Sequence, residues 1–305
     1  MNHNGKIWMD GKFIDWDNAK IHILTHGLHY GTAVFEGIRC YNTKNGPAIF
    51  RLDEHTKRLI NSCKMYHMNL EYTDKELKQA IIETIKINKI KDCYIRPISY
   101  YGYGKMGVNP LPNKVSTSIA LWNWEDHIKN TSDDKGIRVI ISSWIRIDSR
   151  CLPIHAKGTA NYANSALARI EAIKSGVDEA IMMNINGMVV EGTAENIFMV
   201  KNETLVTPPL TSGALEGITR SSILSIAEDL GIKFQICDIS RDELYFADEV
   251  FLTGTAAEIK SIGEIDKIII SNGKAGKIAN MLQSYYYRIV HGEYKKFEKW
   301  LTYLN

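Results

Sequence analysis

Apolar positions along the chain change their period several times, and each change marks an element. Ile7-Trp8-Met9 and Phe13-Ile14 are short apolar runs on either side of Asp10-Gly11, a pair suited to a type I′ turn, so a hairpin opens the fold. Between Asp53 and Leu70 the positions Leu59, Cys63, Tyr66 and Leu70 recur at three- and four-residue steps, which predicts an amphipathic helix with Asp53 as N-cap. Thr73 and Glu76 form a capping-box signature, and Leu77, Ala80, Ile81, Thr84, Ile85 and Asn88 line one face of a second helix. Residues 93–101 and 116–124 are rich in Tyr, Ile, Ser, Thr and Trp and read as strands, the first containing Pro97.

The pattern then stops. Residues 125–136 (EDHIKNTSDDKG) are polar and turn-prone, which places an interdomain loop there, after a smaller N-terminal α/β domain over 1–124 and before a larger C-terminal α/β domain over 137–305. The second half predicts a strand over 137–147, a helix over 161–175 ended by Gly176, and a hairpin around Asn186-Gly187. A helix over 219–230 stopped by Gly231, strands over 232–239 and 250–253, and a last helix over 275–291 complete it. Strands and helices mix without a βαβ period and two hairpins are antiparallel, so the fold class is α/β of the mixed α+β kind rather than a doubly wound parallel sheet.

Composition narrows the function. With 37 basic and 35 acidic residues among 305 the formal charge is +2, which gives no electrostatic case for nucleic acid. No apolar run approaches the ~20 residues of a membrane span, and the first ten residues lack a charged-then-apolar signal pattern, so a cytoplasmic protein is expected. Five scattered cysteines without a C-x-x-C spacing indicate neither a disulfide framework nor a zinc knuckle.

Several segments bear on chemistry. Gly102-Tyr103-Gly104-Lys105-Met106-Gly107 is a literal dinucleotide fingerprint after a strand, but Pro110 and Pro112 forbid the helix that it must open. His22, His26 and His29 lack the glutamate of a metal-binding H-E-x-x-H helix, and their neighbours Ile21, Ile23, Leu24 and Leu28 read as packing. Lys157, after a strand and before a helix among small residues, is accessible to an aldehyde. Glu191 and Glu195 flank a glycine-containing turn, Gly217-Ile218-Thr219 opens a helix whose amides favour a phosphate, and Thr255-Ala256-Ala257 ends a strand with backbone N–H groups available to an anion. A lysine nucleophile, a carboxylate and two anion cradles are what a pyridoxal phosphate enzyme asks of its protein.

The chain also resembles a known family. His29-Tyr30-Gly31-Thr32-Ala33-Val34-Phe35-Glu36-Gly37-Ile38-Arg39, Tyr94-Ile95-Arg96-Pro97, the Lys157 segment, Glu191 to Asn196, Gly217-Ile218-Thr219-Arg220 and Gly254 to Glu258 are similar, in this order, to the branched-chain amino acid aminotransferases of the fold-type IV, class IV pyridoxal phosphate group. The resemblance implies two α/β domains joined by a loop, pyridoxal 5′-phosphate between them, and a homodimer. It makes Lys157 the lysine that carries the cofactor and moves the Cα proton, and Glu191 the partner of the ring nitrogen. Arg58, Gly217, Ile218, Thr219 and Thr255 would hold the phosphate, and Tyr162 would stand near O3′. Tyr30, Phe35 and Tyr162 would form an apolar substrate wall, with Met106 and Val108 reaching in from the partner copy. Gly37 would leave room for substrate, Arg96 would meet the distal carboxylate of glutamate, and Tyr94 with Ala256 and Ala257 would take the α-carboxylate. The expected activity is transfer of the amino group between L-leucine, L-isoleucine or L-valine and 2-oxoglutarate, with no metal.

Around Trp122-Asn123-Trp124-Glu125-Asp126 the chain departs from the family pattern: tryptophans stand where the family has a further pocket tyrosine, which puts substrate breadth in question. The D-amino acid aminotransferase and aminodeoxychorismate lyase branches share the cofactor machinery and are the alternative. The D-specific branch has an Arg-x-His pair where this chain reads Arg96-Pro97-Ile98. A non-catalytic relative conflicts with intact Lys157 and Glu191, and a hydrolase conflicts with the incomplete histidine motif.

Overall fold

The computed structural model of the chain describes residues 5–123 and 135–304. Trp124, Glu125, Asp126 and nearly all of the 125–136 loop lie outside the described residues. In chain order the first part carries β1 (Lys6–Met9), β2 (Lys12–Asp15), α1 (His26–Tyr30), β3 (Ala33–Phe35), β4 (Ile38–Thr43), β5 (Gly46–Phe50), α2 (Leu52–Met65), α3 (Asp74–Asn88), β6 (Cys93–Tyr101) and β7 (Val115–Trp122). The second carries β8 (Ile137–Ile141), α4 (Asn161–Lys174), β9 (Glu179–Met183), β10 (Val189–Gly192), β11 (Asn196–Lys201), β12 (Thr204–Thr207), α5 (Ile218–Asp229), β13 (Phe234–Ile236), α6 (Arg241–Tyr245), β14 (Glu249–Gly254), β15 (Glu258–Ile265), β16 (Ile268–Ile269), α7 (Lys277–Val290) and β17 (Leu301–Tyr303).

Two compact units result. Unit 1 comprises Met1–Glu125, Ala156–Ala160 and Arg288–Asn305, and unit 2 comprises Asp126–His155 and Asn161–Tyr287. The chain thus returns to unit 1 twice, where a reading by composition alone keeps 137–305 together. The last return is a strand pairing, since β17 lies antiparallel to β5 with Leu301 opposite Phe50. The first is the five-residue segment that contains Lys157.

Unit 1 is built on an antiparallel sheet in the order β17-β5-β4-β6-β7-β1-β2, with β3 also on β6. Pro97 sits in the middle of this sheet, which a proline normally avoids because it has no N–H to give. Its position resolves the conflict. The neighbouring strand is broken between β3 and β4, and Pro97 faces that break, its carbonyl accepting from the Glu36 amide at 2.9 Å. Glu36 and Gly37 are the two residues in the break. The expected capping box of α3 is present, with the Thr73 side chain and Glu76 satisfying each other's backbone amides. α2 differs from expectation: its N-cap is Arg51, left-handed at φ 53°, and Asp53 lies in the first turn, where a carboxylate meets the positive end of the helix dipole. α2 ends at Met65, yet Tyr66 and Leu70 beyond it still pack with Leu59 and Cys63.

Unit 2 is a sheet in the order β10-β9-β8-β15-β14-β11-β12-β13, and β10 pairs with β11 as well as with β9. That second pairing closes six strands into a ring, and all six contribute to one apolar core through Val139, Ile181, Val189, Ile197, Leu252 and Ile262 among others. The ring closes at a single residue pair, Glu191 opposite Asn196. β8 is shorter than the expected 137–147. Glu171 turns the chain away by accepting from the Ser142 hydroxyl at 2.6 Å and the Ser143 amide at 3.0 Å.

Candidate active site

Unit 1 holds Lys157 by its main chain. Its carbonyl accepts from the Phe35 amide at 3.0 Å, its amide donates to Ser62 Oγ at 3.0 Å, and the Thr159 amide donates to the Ala33 carbonyl at 2.9 Å. The segment is therefore pinned to β3 and α2, and Lys157 Nζ stands 5.2 Å from the centre of the Phe35 ring. Next to it the chain runs so close to Tyr66 that a Cβ on Gly158 would lie 2.4 Å from the Tyr66 hydroxyl.

Glu36, which follows Phe35, is fully buried. Its carboxylate accepts from Arg58 Nε at 2.6 Å and Arg58 Nη2 at 2.8 Å, and pairs with His55 Nδ1 at 2.7 Å. Burial pushes the Glu36 carboxyl upward, but the adjacent Arg58 guanidinium, helped by His55, outweighs it and holds the group well below the usual carboxylate range. His55 is driven down by burial first, then by the positive charges of Arg58 and Lys157, against the pull of Glu36. One carboxylate is thus shared between a guanidinium and an imidazole.

Phe35 also belongs to an aromatic group around Arg96. The Arg96 guanidinium carbon lies 4.6 Å from the Phe35 ring centre, 5.3 Å from Tyr94 and 5.8 Å from Trp122, and its Nη2 donates to the Tyr94 hydroxyl at 3.2 Å. Arg96 Nε is buried and has no partner among the described residues. Lys157, Phe35, Tyr94 and Arg96 are thus brought together in one unit. The space over Gly37 is taken by Tyr94, because a Cβ there would lie 1.9 Å from the Tyr94 hydroxyl. Tyr30 ends α1 with its ring 4.5 Å from that of His26. Met106 and Val108 stand outside this group, on an exposed loop over 102–113 that does not open a helix. The three histidines make structural contacts there: His26 bridges Thr32 Oγ1 and the Gly107 carbonyl at 2.8 and 2.7 Å, the His22 ring meets that of Tyr103 at a tilt, and His29 bonds the Ile23 carbonyl.

Unit 2 holds Glu191 at the closure of its ring. Its carboxylate lies 2.8 Å from Arg146 Nε and accepts from the Leu215 amide at 3.0 Å and Asn196 Nδ2 at 3.3 Å. Arg146, buried in a stretch expected to be plain strand, escaped the sequence reading, as did Glu36 and His55. For Glu36 and Arg146 the signal available was a charge inside an apolar run, and His55, in the polar stretch RLDEHTKR, carried none. Gly217 is the N-cap of α5 and no side chain caps that helix, so the amides of Ile218 and Thr219 are presented without a protein carboxylate or hydroxyl competing for the cap. A Cβ on Gly217 would fall 1.8 Å from Asn196 Oδ1. Thr255, Ala256 and Ala257 form the β14–β15 turn, and Tyr162 is half-buried in the first turn of α4. Nearby on the same hairpin as Glu191, Glu195 is buried beside Glu179; burial first, then the Glu179 charge, raise it to about 8.

These residues suit a phosphorylated aldehyde cofactor. Unit 1 offers an amine on a fixed main chain, and unit 2, by itself, offers a buried carboxylate beside a guanidinium and a helix start that only a glycine permits. The amino-transferase class IV pattern matches residues 33–265. The chain belongs to the class IV aminotransferases. It is 41% identical over 301 residues to the branched-chain-amino-acid aminotransferase of Pseudomonas aeruginosa, covering 99% of this chain and 98% of that one. Among solved structures it is similar to the Escherichia coli branched-chain aminotransferase, with a TM-score of 0.96 at 39% identity over 99% of this chain and 100% of that one. The T.th. enzyme of the same name, complexed with N-(5′-phosphopyridoxyl)-L-glutamate, gives a TM-score of 0.95 at 46% identity over 99% of both chains. That enzyme was also solved with pyridoxamine 5′-phosphate and with 4-methylvaleric acid.

Proposed function

We propose that the protein is a pyridoxal 5′-phosphate-dependent transaminase that interconverts L-leucine, L-isoleucine or L-valine and 2-oxoglutarate with the branched 2-oxo acids and L-glutamate, as a cytoplasmic homodimer. The observation that carries the substrate class is the Arg96 guanidinium enclosed by Phe35, Tyr94 and Trp122. Aromatic faces accept an aliphatic side chain, while a cation among them, with one N–H unpartnered, accepts the second carboxylate of glutamate. One wall therefore serves both substrates. Arg96-Pro97-Ile98 lacks the histidine of the D-specific branch, and the aromatic enclosure does not favour the lyase.

When bound, the cofactor supplies an electrophilic carbon and a ring that accepts the electrons released at the substrate Cα. Lys157 would be the residue that holds it and the one whose amine would carry the substrate Cα proton. Glu191 would face the ring nitrogen and favour its protonated form, and Arg146, the Leu215 N–H and Asn196 keep that carboxylate in place. Arg58, Gly217, Ile218, Thr219 and Thr255 bind the phosphate, and Tyr162 orients O3′. Tyr94 with Ala256 and Ala257 takes the α-carboxylate, Gly37 lets the Tyr94 hydroxyl approach, Tyr30 and Phe35 line the apolar side, and Met106 and Val108 enter the pocket of the other copy.

The test is stopped-flow absorbance of the purified protein mixed separately with L-leucine, L-isoleucine, L-valine, L-glutamate and D-alanine, without a keto acid. The visible cofactor band is expected to vanish with the four L-amino acids and persist with D-alanine, and Lys157→Ala is expected to abolish the response. A response to D-alanine alone, or a protein that binds no cofactor, contradicts the reading.

A further inference from the structure

Arg58 is a long side chain on α2, and a flexible cation is a poor anchor for a phosphate unless something fixes its fork. The structure supplies that something in a residue for which neither the family resemblance nor the proposed mechanism has a role. Glu36 lies one residue after Phe35, whose amide holds the Lys157 carbonyl, so its carboxylate is tied to the same main-chain point as Lys157. Its two oxygens take the Nε and Nη2 edge of Arg58 at 2.6 and 2.8 Å, which fixes the plane of the guanidinium as well as its place. Oε2 also pairs with His55 Nδ1 at 2.7 Å, one turn before Arg58 on α2, and accepts from the Gly37 amide at 3.3 Å. None of these groups is exposed enough for water to compete: the Glu36 side chain is 0% accessible, His55 1% and Arg58 13%.

We propose that Glu36 is a positioning residue for the cofactor phosphate: through Arg58, with His55 as a second brace, it sets the separation between the phosphate anchor and Lys157. This rests on the reading, given above, that Arg58 holds the phosphate. The carboxylate touches neither substrate nor the reacting atoms. Charge alone makes the opposite prediction, which is what renders the role testable. Glu36 cancels part of the Arg58 charge, so deleting its negative charge would by Coulomb attraction tighten the hold on an anion. Positioning requires that the hold weaken.

The experiment compares pyridoxal 5′-phosphate with pyridoxal, which has the aldehyde and ring but no phosphate, binding to the full-length apoprotein by tryptophan fluorescence. The readout is the dissociation constant of pyridoxal divided by that of pyridoxal 5′-phosphate, a ratio that measures the hold on the phosphate and that a general loss of stability would not change. In Glu36→Gln the ratio is expected to fall about 10- to 100-fold, the loss of well-oriented charge-assisted bonds, with pyridoxal binding unchanged. Arg58→Met is expected to lower it at least as much, and the double variant no further. Because Glu36→Gln replaces the buried carboxylate that faces Arg58 with a neutral amide and can prevent folding, Glu36→Asp is measured alongside, with circular dichroism of each apoprotein. The aspartate keeps the charge, withdraws it by one methylene, and is expected to lower the ratio too. A folded Glu36 variant with the wild-type ratio or a larger one overturns the proposal while leaving Arg58 as the anchor. An Arg58→Met protein that keeps the wild-type ratio overturns both, and a wild-type protein that binds no pyridoxal 5′-phosphate overturns the functional reading beneath them.

Discussion

Two buried carboxyls in this protein meet opposite fates for one reason. Glu36 and Glu195 are both removed from water, which favours the neutral acid in each. Beside Glu36 stand Arg58 and His55, and it remains an anion. Beside Glu195 stands Glu179, itself raised by burial although Arg169 Nη1 lies 3.2 Å from it, and Glu195 keeps its proton to about 8. The sign of the pH effect follows. From the unfolded value of 4.5 up to about 8 the folded chain binds this proton and the unfolded chain does not, so the contribution of Glu195 to stability declines as pH rises through that window. Glu195→Gln mimics the neutral acid at every pH and is expected to melt higher than the parent, by a margin that grows between pH 5 and pH 8. Melting curves of the two proteins with the same margin at pH 5 and pH 8 would show that Glu195 is ionised when folded.

At the scale of elements, legibility depended on whether one face of the element is wet. α3 announced itself through Thr73, Glu76 and a single apolar stripe, and the β9–β10 hairpin through Asn186-Gly187, because each keeps a polar face or a special turn. β4 and β11 did not. Ile38, Arg39, Cys40 and Tyr41 are all buried, as are Asn196 to Val200, so no alternation survives to be read, and the charge of Arg39 argues against a strand although Asp92 pairs with it at 3.1 Å. The site divides in the same way. Lys157, Glu191 and Gly217 stand among small residues and turns that are visible in one dimension, whereas Glu36, His55 and Arg146 matter through partners 19 to 45 positions away in the chain. Gly217 shows what such a long-range fit demands. Its φ of −72° suits any residue, so only space excludes a side chain, and the space belongs to the Asn196 amide that bonds Glu191 and the Leu215 carbonyl. Gly217→Ala is expected to cost about 1–3 kcal/mol by overpacking. In an Asn196→Ala background the clash is gone and the same substitution should cost much less, so additive losses in thermal melts would refute this account.

At the scale of the whole molecule, unit 1 exposes an apolar surface that solvent alone does not explain. Ile21, Ile23 and Leu28 lie on one segment and Tyr103, Val108 and Leu111 on another, all exposed, with Val108 at 84%. The two segments are held together by the Thr25–Tyr103 bridge, the His22–Tyr103 ring contact at 4.0 Å and the His26–Gly107 bond, so the surface is preformed. Preformed apolar surface of this kind suits a contact with another chain, and in the homodimer proposed above a two-fold axis through it would bury the same residues twice. This agrees with the proposal that Met106 and Val108 complete the pocket of a second copy, and it ties oligomer state to activity. Ile23→Asp/Val108→Asp would place two carboxylates in that contact, where burial without partners is costly. The expected result is a shift from dimer to monomer in sedimentation velocity together with a loss of turnover, while melting of the monomer shows that unit 1 still folds. A monomeric double variant with undiminished kcat/KM for L-leucine would mean that each copy carries a complete pocket and that the 102–113 loop serves assembly alone.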